Sequence, residues 1–92
     1  MSESQKYAIV DLETTGHSPV NGDRMIQIAI VIMRDWQVEK TYTKFIHPGK
    51  PIPLFIQDLT NITDADVADA MPFEVHAEYI YELLQDAVFV AH

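Results

Sequence analysis

Ile9-Val10-Asp11-Leu12-Glu13-Thr14-Thr15-Gly16 is the stretch on which the reading of this 92-residue chain turns. An apolar run, Tyr7 to Val10, leads directly into two carboxylates one residue apart. A strand over this run puts Tyr7, Ile9, Asp11 and Glu13 on one face, and Ala8, Val10 and Leu12 on the other. Asp11 and Glu13 then stand roughly 6.5–7 Å apart at the end of a buried element. Two like charges in a half-dry place repel and lose hydration unless something positive answers them. Hard divalent cations with oxygen ligands, Mg²⁺ or Mn²⁺ among them, are the usual answer. Gly16 permits a sharp turn, and the Thr14 and Thr15 backbone N–H groups are expected to be free to meet an anion. Alone, Asp-x-Glu is a weak signal, because a strand end reaching solvent can carry two hydrated acids with no further role. The apolar strand before it and Thr-Thr-Gly after it strengthen the metal reading.

Outward from this stretch the elements follow in order. Gly16 to Gly22 is rich in turn formers and is expected to be a loop. Met25 to Arg34 is nearly all apolar, with Ile26, Ile28, Ile30 and Ile32 on one face and Met25, Gln27, Ala29, Val31 and Met33 on the other, which predicts a central strand buried on both sides. Asp35-Trp36-Gln37 is a hairpin-length connection. Val38 to His47 alternates loosely, and Lys40 and Lys44 suit a protected edge strand. His47-Pro48-Gly49-Lys50-Pro51-Ile52-Pro53 excludes regular structure and predicts an extended loop. Leu54 to Leu59 suits a short helical turn. Thr63 is a good N-cap, with Asp64 and Asp66 in the first turn of a helix that begins over Asp64 to Ala70. Pro72 restarts a helix whose core stripe is Phe73, Ala77, Ile80 and Leu84. Val88 to Ala91 is expected to be a buried strand.

Glu74, Glu78, Glu82 and Asp86 recur four apart along the second long helix. Like charges at that spacing cost only a few tenths of a kcal/mol per pair, so the line is assigned to a solvated face and not to a metal. The four histidines show no ligand spacing to one another. With no cysteines, neither a disulfide framework nor a thiolate metal site is possible, which suits a reducing cytoplasm. No apolar run approaches membrane-spanning length, and the first residues lack the apolar core of a signal peptide. The formal net charge of −8 excludes a strong, sequence-independent duplex binder, because such proteins grip phosphate with a basic surface. A local grip on a few terminal nucleotides remains compatible, since bound divalent ions neutralise the carboxylates that hold them.

Three further segments join the opening stretch in a recognisable series: Asp23-Arg24-Met25-Ile26-Gln27-Ile28-Ala29, Leu59-Thr60-Asn61-Ile62-Thr63 and Val88-Phe89-Val90-Ala91-His92. The series resembles the DEDD (DnaQ-like) 3′–5′ exonucleases. Ile9 to Gly16 is similar to their first motif and Asp23 to Ala29 to their second strand. Leu59 to Thr63 is similar to their Leu-Thr-Gly-Ile-Thr segment, with Asn61 where Gly is common. Val88 to His92 is similar to the opening of the second motif. The likeness runs over residues 7 to 92. Gly16-His17-Ser18-Pro19, Gln27-Ile28-Ala29 and Pro72-Phe73-Glu74-Val75 are most similar to the exonuclease domain fused to DinG-type helicases, with polymerase III epsilon-type proofreading exonucleases close behind.

The resemblance implies an α/β fold with a ribonuclease H-like mixed sheet. Residues 1–92 would be the N-terminal portion of one exonuclease domain: a three-strand antiparallel unit, helices, then a fourth strand parallel to the first. That strand would leave an open apolar edge, a surface through which a dimer could form. The implied reaction is hydrolysis of a terminal phosphodiester with two Mg²⁺ or Mn²⁺ ions held among four acids. Asp11 and Glu13 would be two of these metal ligands and the catalytic pair, and the remaining acids and the general base would lie beyond His92. Leu12, Thr14, Thr15, Gly16, Leu59 and Thr60 would bind the terminal nucleotide. The implied substrate is a single-stranded DNA 3′ end, with RNA ends as one alternative and a catalytically silent interaction module as another. The implied association is with a helicase or polymerase module, and the 92-residue chain alone is expected to show little or no activity.

Overall fold

The computed structural model describes residues 5–16, 18 and 22–91. Four strands form one mixed sheet in the order β3-β2-β1-β4. They are β1 (Lys6–Thr14), β2 (Met25–Arg34), β3 (Gln37–Phe45) and β4 (Ala87–Ala91), with α1 (Leu54–Thr60), α2 (Asp64–Val67) and α3 (Phe73–Leu84) between the last two. β2 runs antiparallel to both β1 and β3, and β4 runs parallel to β1. A crossover containing a helix is the connection a parallel neighbour requires. The mixed four-strand sheet is the ribonuclease H-like arrangement expected from the sequence.

Alternation fixes the faces. Ala8 and Val10 of β1, with Ile28, Ile30 and Ile32 of β2, pack under Ile80 and Leu83 of α3 in the main core cluster. Ile80 of the expected α3 stripe is buried, with Leu83, one residue before the expected Leu84, as its buried companion; Phe73, Ala77 and Leu84 are half-buried. Lys40, Tyr42 and Lys44 of β3 pair with Ile32, Ile30 and Ile28, so they share this covered face. Tyr42 lies half-buried against the core, and the two lysine ammonium groups sit over the Tyr79 and Tyr42 rings.

The opposite face corrects one expectation. Tyr7, Ile9, Asp11 and Glu13 of β1 are half-buried, as are Gln27, Ala29, Val31 and Met33 of β2, and none of these belongs to a core cluster. β2 is therefore central in the sheet yet fully buried on one side only. β4 is a second correction: its Val88, Phe89 and Val90 are exposed instead of buried. It is an edge strand with β1 as its one sheet neighbour.

The β2–β3 connection is a two-residue turn, because Arg34 pairs with Gln37. Asp35 and Trp36 both have positive φ, at 53° and 63°, as a type I′ hairpin turn demands. The left-handed conformation costs a tryptophan roughly 1–2 kcal/mol. Stacking of Trp36 on Tyr7, with ring centroids 5.8 Å apart, offsets much of that.

A second core cluster lies at the other end of β2. Ile26 packs there with Ile52, Ile56, Ile62 and Val67, which anchors the extended 46–53 loop, α1 and α2. α2 opens with the expected cap: Thr63 Oγ1 accepts from the Asp66 N–H, and the Asp66 carboxylate accepts from the Thr63 N–H. Asn61 ends α1 in the left-handed region, φ 62°, and donates its N–H to the Gln57 carbonyl. Asparagine at this position thus performs the turn that glycine would.

Candidate active site

Asp11 and Glu13 lie on the uncovered face at the carboxyl end of β1, where their Cα partners on β2 are Ala29 and Gln27. Both are half-buried, and they share their face as the strand alternation requires. Immediately after Glu13 the register breaks. Glu13 pairs with Gln27, but Thr14 pairs with Met25, which leaves Ile26 as the extra residue of a β-bulge. The Ile26 side chain is fully buried in the second core cluster, and its carbonyl accepts from the Ile46 N–H at 2.8 Å. One residue therefore bends the sheet beside the acid pair and moors α1 to the same end of the sheet.

Beyond the bulge the backbone is tied down. The Thr15 N–H donates to the Arg24 carbonyl at 2.7 Å, and the Arg24 N–H donates back to Thr15 Oγ1 at 2.9 Å. Thr15 Oγ1 in turn donates to Asp23 Oδ1 at 3.2 Å, and the residue is 1% exposed. This corrects the expectation of a free N–H at Thr15: its backbone donor and its hydroxyl both serve the fold, because the bulge turns Thr15 towards Arg24. Thr14 Oγ1 donates to the Gly16 carbonyl at 2.6 Å. Gly16 is required for a different reason than a turn of unusual handedness. A Cβ at Gly16 would meet the Asp23 carboxylate at 2.5 Å, so glycine is what lets that carboxylate approach the backbone.

Of the other expected nucleotide contacts, Leu12 projects from the opposite side of β1 to the acids and is 45% exposed. Leu59 stands out from α1 at 76% exposure. Thr60 is half-buried; its hydroxyl donates to the Ile56 carbonyl and accepts from the Ile62 N–H, closing the helix end. Ile26 links the helix that carries these residues to the sheet end that bears the acid pair, through the second core. His17 and His92 lie outside the described residues. His47 Nδ1 accepts from the Gly49 N–H, and His76 Nδ1 meets the Tyr42 hydroxyl at 2.7 Å. Glu74, Glu78, Glu82 and Asp86 are all exposed, with Asp86 outside α3, in keeping with a solvated face.

Asp23 is the residue that strand-pattern reading missed, since it stood merely as the entry to β2. Its carboxylate accepts from Thr15 Oγ1 and from the Ser18 N–H at 2.9 Å, and lies 3.9 Å from Lys50 Nζ. An acid just before a strand and just after a loop bounded by glycines is the one sequence signal that could have raised it.

The donor set suits a hard divalent cation. Asp11 and Glu13 offer carboxylate oxygens on one half-exposed face, and Mg²⁺ and Mn²⁺ take oxygen ligands and retain waters readily. Among the described residues no group of three or more histidine, cysteine or acidic side chains gathers to hold a metal. Nor is any helix of the described residues long and apolar enough to cross a membrane.

Comparison with known proteins agrees with this fold. A family model described as an exonuclease, the RNase T family, matches residues 8–92. The 3′-5′ exonuclease DinG of Bacillus subtilis is 46% identical over 88 residues, covering 96% of this chain and 10% of that protein. A PolC-type DNA polymerase III of Streptococcus sanguinis is 42% identical over 86 residues, covering 94% of this chain and 6% of the polymerase. The chain thus spans about a tenth or less of the length of these relatives. Crystalline exonuclease I bound to an inhibitor superimposes with a TM-score of 0.82 over 99% of this chain and 21% of its own, at 18% identity, a likeness of fold. With this sheet, this strand-end acid pair and a family match over nearly its whole length, the chain belongs to the RNase T family of exonucleases.

Proposed function

We propose that this chain carries the first two acidic ligands of a metal-dependent 3′–5′ exonuclease that trims single-stranded DNA. The observation that carries the reading is the placement of Asp11 and Glu13 together on the uncovered face of β1, with the bulge directly after Glu13. Single-stranded DNA is favoured over RNA by the polymerase relative, whose own substrate is DNA by name. The polymerase relative supports association with a polymerase module, and the resemblance to exonuclease domains fused to DinG-type helicases keeps a helicase module as the alternative.

Asp11 and Glu13 would hold Mg²⁺ or Mn²⁺, two ions in a complete site. When bound, such ions acidify a water and stabilise the charge on a leaving 3′ oxygen. Asp11 and Glu13 would each offer carboxylate oxygens to the metal, and Glu13 would also help place a water. Thr14 and Gly16 seat the terminal nucleotide through backbone groups, with Thr15 holding their conformation from below. Leu12 and Leu59 offer apolar contact to base and sugar, and Thr60 fixes the end of the helix that presents Leu59.

Two measurements test this. Mn²⁺ added to the ¹⁵N-labelled chain should broaden the Asp11 and Glu13 amide signals first, and Asp11→Ala should abolish that selectivity. In the protein that contains this domain with its remaining ligands, Asp11→Ala should slow shortening of a 5′-labelled single strand by about 10³-fold or more, the scale at which loss of metal-borne charge stabilisation is felt. Near-normal shortening by that variant would refute the assignment. Faster trimming of an RNA strand than of DNA of the same sequence would refute the choice of substrate alone.

A further inference from the structure

We propose that Asp23 is the positioning residue of this site, a carboxylate that sets the nucleotide-seating backbone beside the metal ligands without binding metal itself. The inference rests on the reading of Asp11 and Glu13 given above. A third acid near a metal-binding pair invites the simpler assignment of a third ligand. Its partners argue otherwise. One oxygen accepts from Thr15 Oγ1 at 3.2 Å, and the other from the Ser18 N–H at 2.9 Å. Lys50 supplies positive charge at 3.9 Å and also donates to the Gly22 carbonyl at 3.2 Å. Both oxygens of the carboxylate are thus engaged by the fold, with a lysine charge beside them.

What it holds is the segment that strand geometry cannot. Asp11 and Glu13 precede the bulge and take their places from the β1–β2 ladder. Thr14 follows the break in a shifted register with Met25, and Thr15 and Gly16 lie beyond the strand, where the ladder no longer sets their direction. Asp23 replaces it from across the loop: it orients the Thr15 hydroxyl, which receives the Arg24 N–H, and it lies so close to Gly16 that a Cβ there would meet its carboxylate at 2.5 Å and force it to shift. Through Lys50 the same carboxylate ties this segment to the 46–53 loop, which leads into α1 and Leu59. Acid pair, seating backbone and α1 are therefore registered against one another at Asp23.

The test uses the ¹⁵N-labelled chain and four proteins: native, Asp23→Ser, Gly16→Ala and the double variant. Mn²⁺ broadening at Asp11 and Glu13 reads metal binding, and thymidine 5′-monophosphate added with Mg²⁺ reads the nucleotide seat. Asp23→Ser should leave the Mn²⁺ midpoint within about twofold and weaken nucleotide binding roughly tenfold, the loss expected for one charge-assisted hydrogen bond. Gly16→Ala should be damaging in the native background and nearly silent in the Asp23→Ser background, because the clash is with the carboxylate. Loss of Mn²⁺ broadening in Asp23→Ser would overturn the proposal by making Asp23 a ligand. Unchanged nucleotide binding in that variant would overturn it too, as would equal damage from Gly16→Ala in both backgrounds. If the native chain shows no Mn²⁺ effect at Asp11 and Glu13, the acid-pair reading falls instead. Urea unfolding of the four proteins then still decides whether residues 16 and 23 are coupled: non-additive losses support the latch, and additive ones overturn it. Asp23→Asn, which keeps one acceptor and loses the charge, serves if the serine variant does not fold.

Discussion

Thr15→Val separates hydrogen bonding from packing at the base of this site. Valine copies the shape of threonine, so the substitution removes the hydroxyl and little else. Two hydrogen bonds go with it, the one received from the Arg24 N–H and the one given to the Asp23 carboxylate. The Thr15 side chain is sealed from solvent, so water cannot simply take its place. A neutral hydrogen bond contributes about 0.5–1.5 kcal/mol and one to a charged group about 1.5–3, which gives a loss near 2–3 kcal/mol. The Asp23 carboxylate keeps the Ser18 N–H and Lys50, which argues against a larger figure. Thr15→Ser does the opposite: it keeps the hydroxyl and loses one buried methyl, about 1 kcal/mol. Urea unfolding followed by circular dichroism distinguishes them. With m near 1–1.5 kcal/mol/M for a chain of this size, the valine midpoint should fall by roughly 1.5–2.5 M and the serine midpoint by less than about 1 M. A serine variant less stable than the valine variant would refute the reasoning, because it would show that the methyl, and not the hydroxyl, holds the segment.

Ile26→Ala should cost about 3–4 kcal/mol, since a fully buried isoleucine at the heart of the second core leaves a cavity there. Hydrogen exchange should then speed up over Gln57 to Asn61 more than over β3, and a uniform acceleration would count against a separate moorage for α1. Tyr42 predicts alkaline sensitivity: burial first, and the Tyr79 phenol second, raise its pKa above the ordinary value of 10.0. A group whose folded pKa is raised contributes stability that is complete below the unfolded value and lost as pH climbs through the folded one, so the urea midpoint should decline from about pH 10 upward. Tyr42→Phe should flatten that decline while lowering stability at about pH 8, where the 2.7 Å contact with His76 Nδ1 is lost; an equally steep alkaline decline in the phenylalanine variant would assign it to another group.

Much of the sheet was legible because its signal is local. Four isoleucines at every second position of β2 mark the face that is buried, although the apolar residues between them predict burial on both sides, and Thr63 with Asp66 specifies a helix start within four residues. Exposure of Val88, Phe89 and Val90 was not legible in the strand's own pattern, because an apolar five-residue strand reads the same in the middle of a sheet as at its edge; only the family resemblance implies an open apolar edge here. Nor could helical spacing choose between Leu83 and Leu84, whose burial depends on where α3 crosses β1 and β2.

At the site the boundary between legible and hidden falls on a single residue. Asp11 and Glu13 were assigned to one face by parity, and parity holds as far as the ladder does. Ile26 ends it: an extra isoleucine inside an apolar run leaves no mark in the pattern, yet it reverses the relation between everything before Glu13 and everything after. The free N–H expected at Thr15 was an extrapolation of the strand across that break. Past the break, long-range partners decide, a carboxylate eight residues away and a carbonyl nine away, and these have no periodic signature. The division has a functional consequence. Changes at Asp23 or Ile26 should shift the nucleotide seat while the acid pair stays in register, whereas changes in the β1–β2 ladder should move the acids themselves. On the proposed reading, metal binding and nucleotide binding would then be separable properties of one short stretch, governed from opposite sides of a bulge.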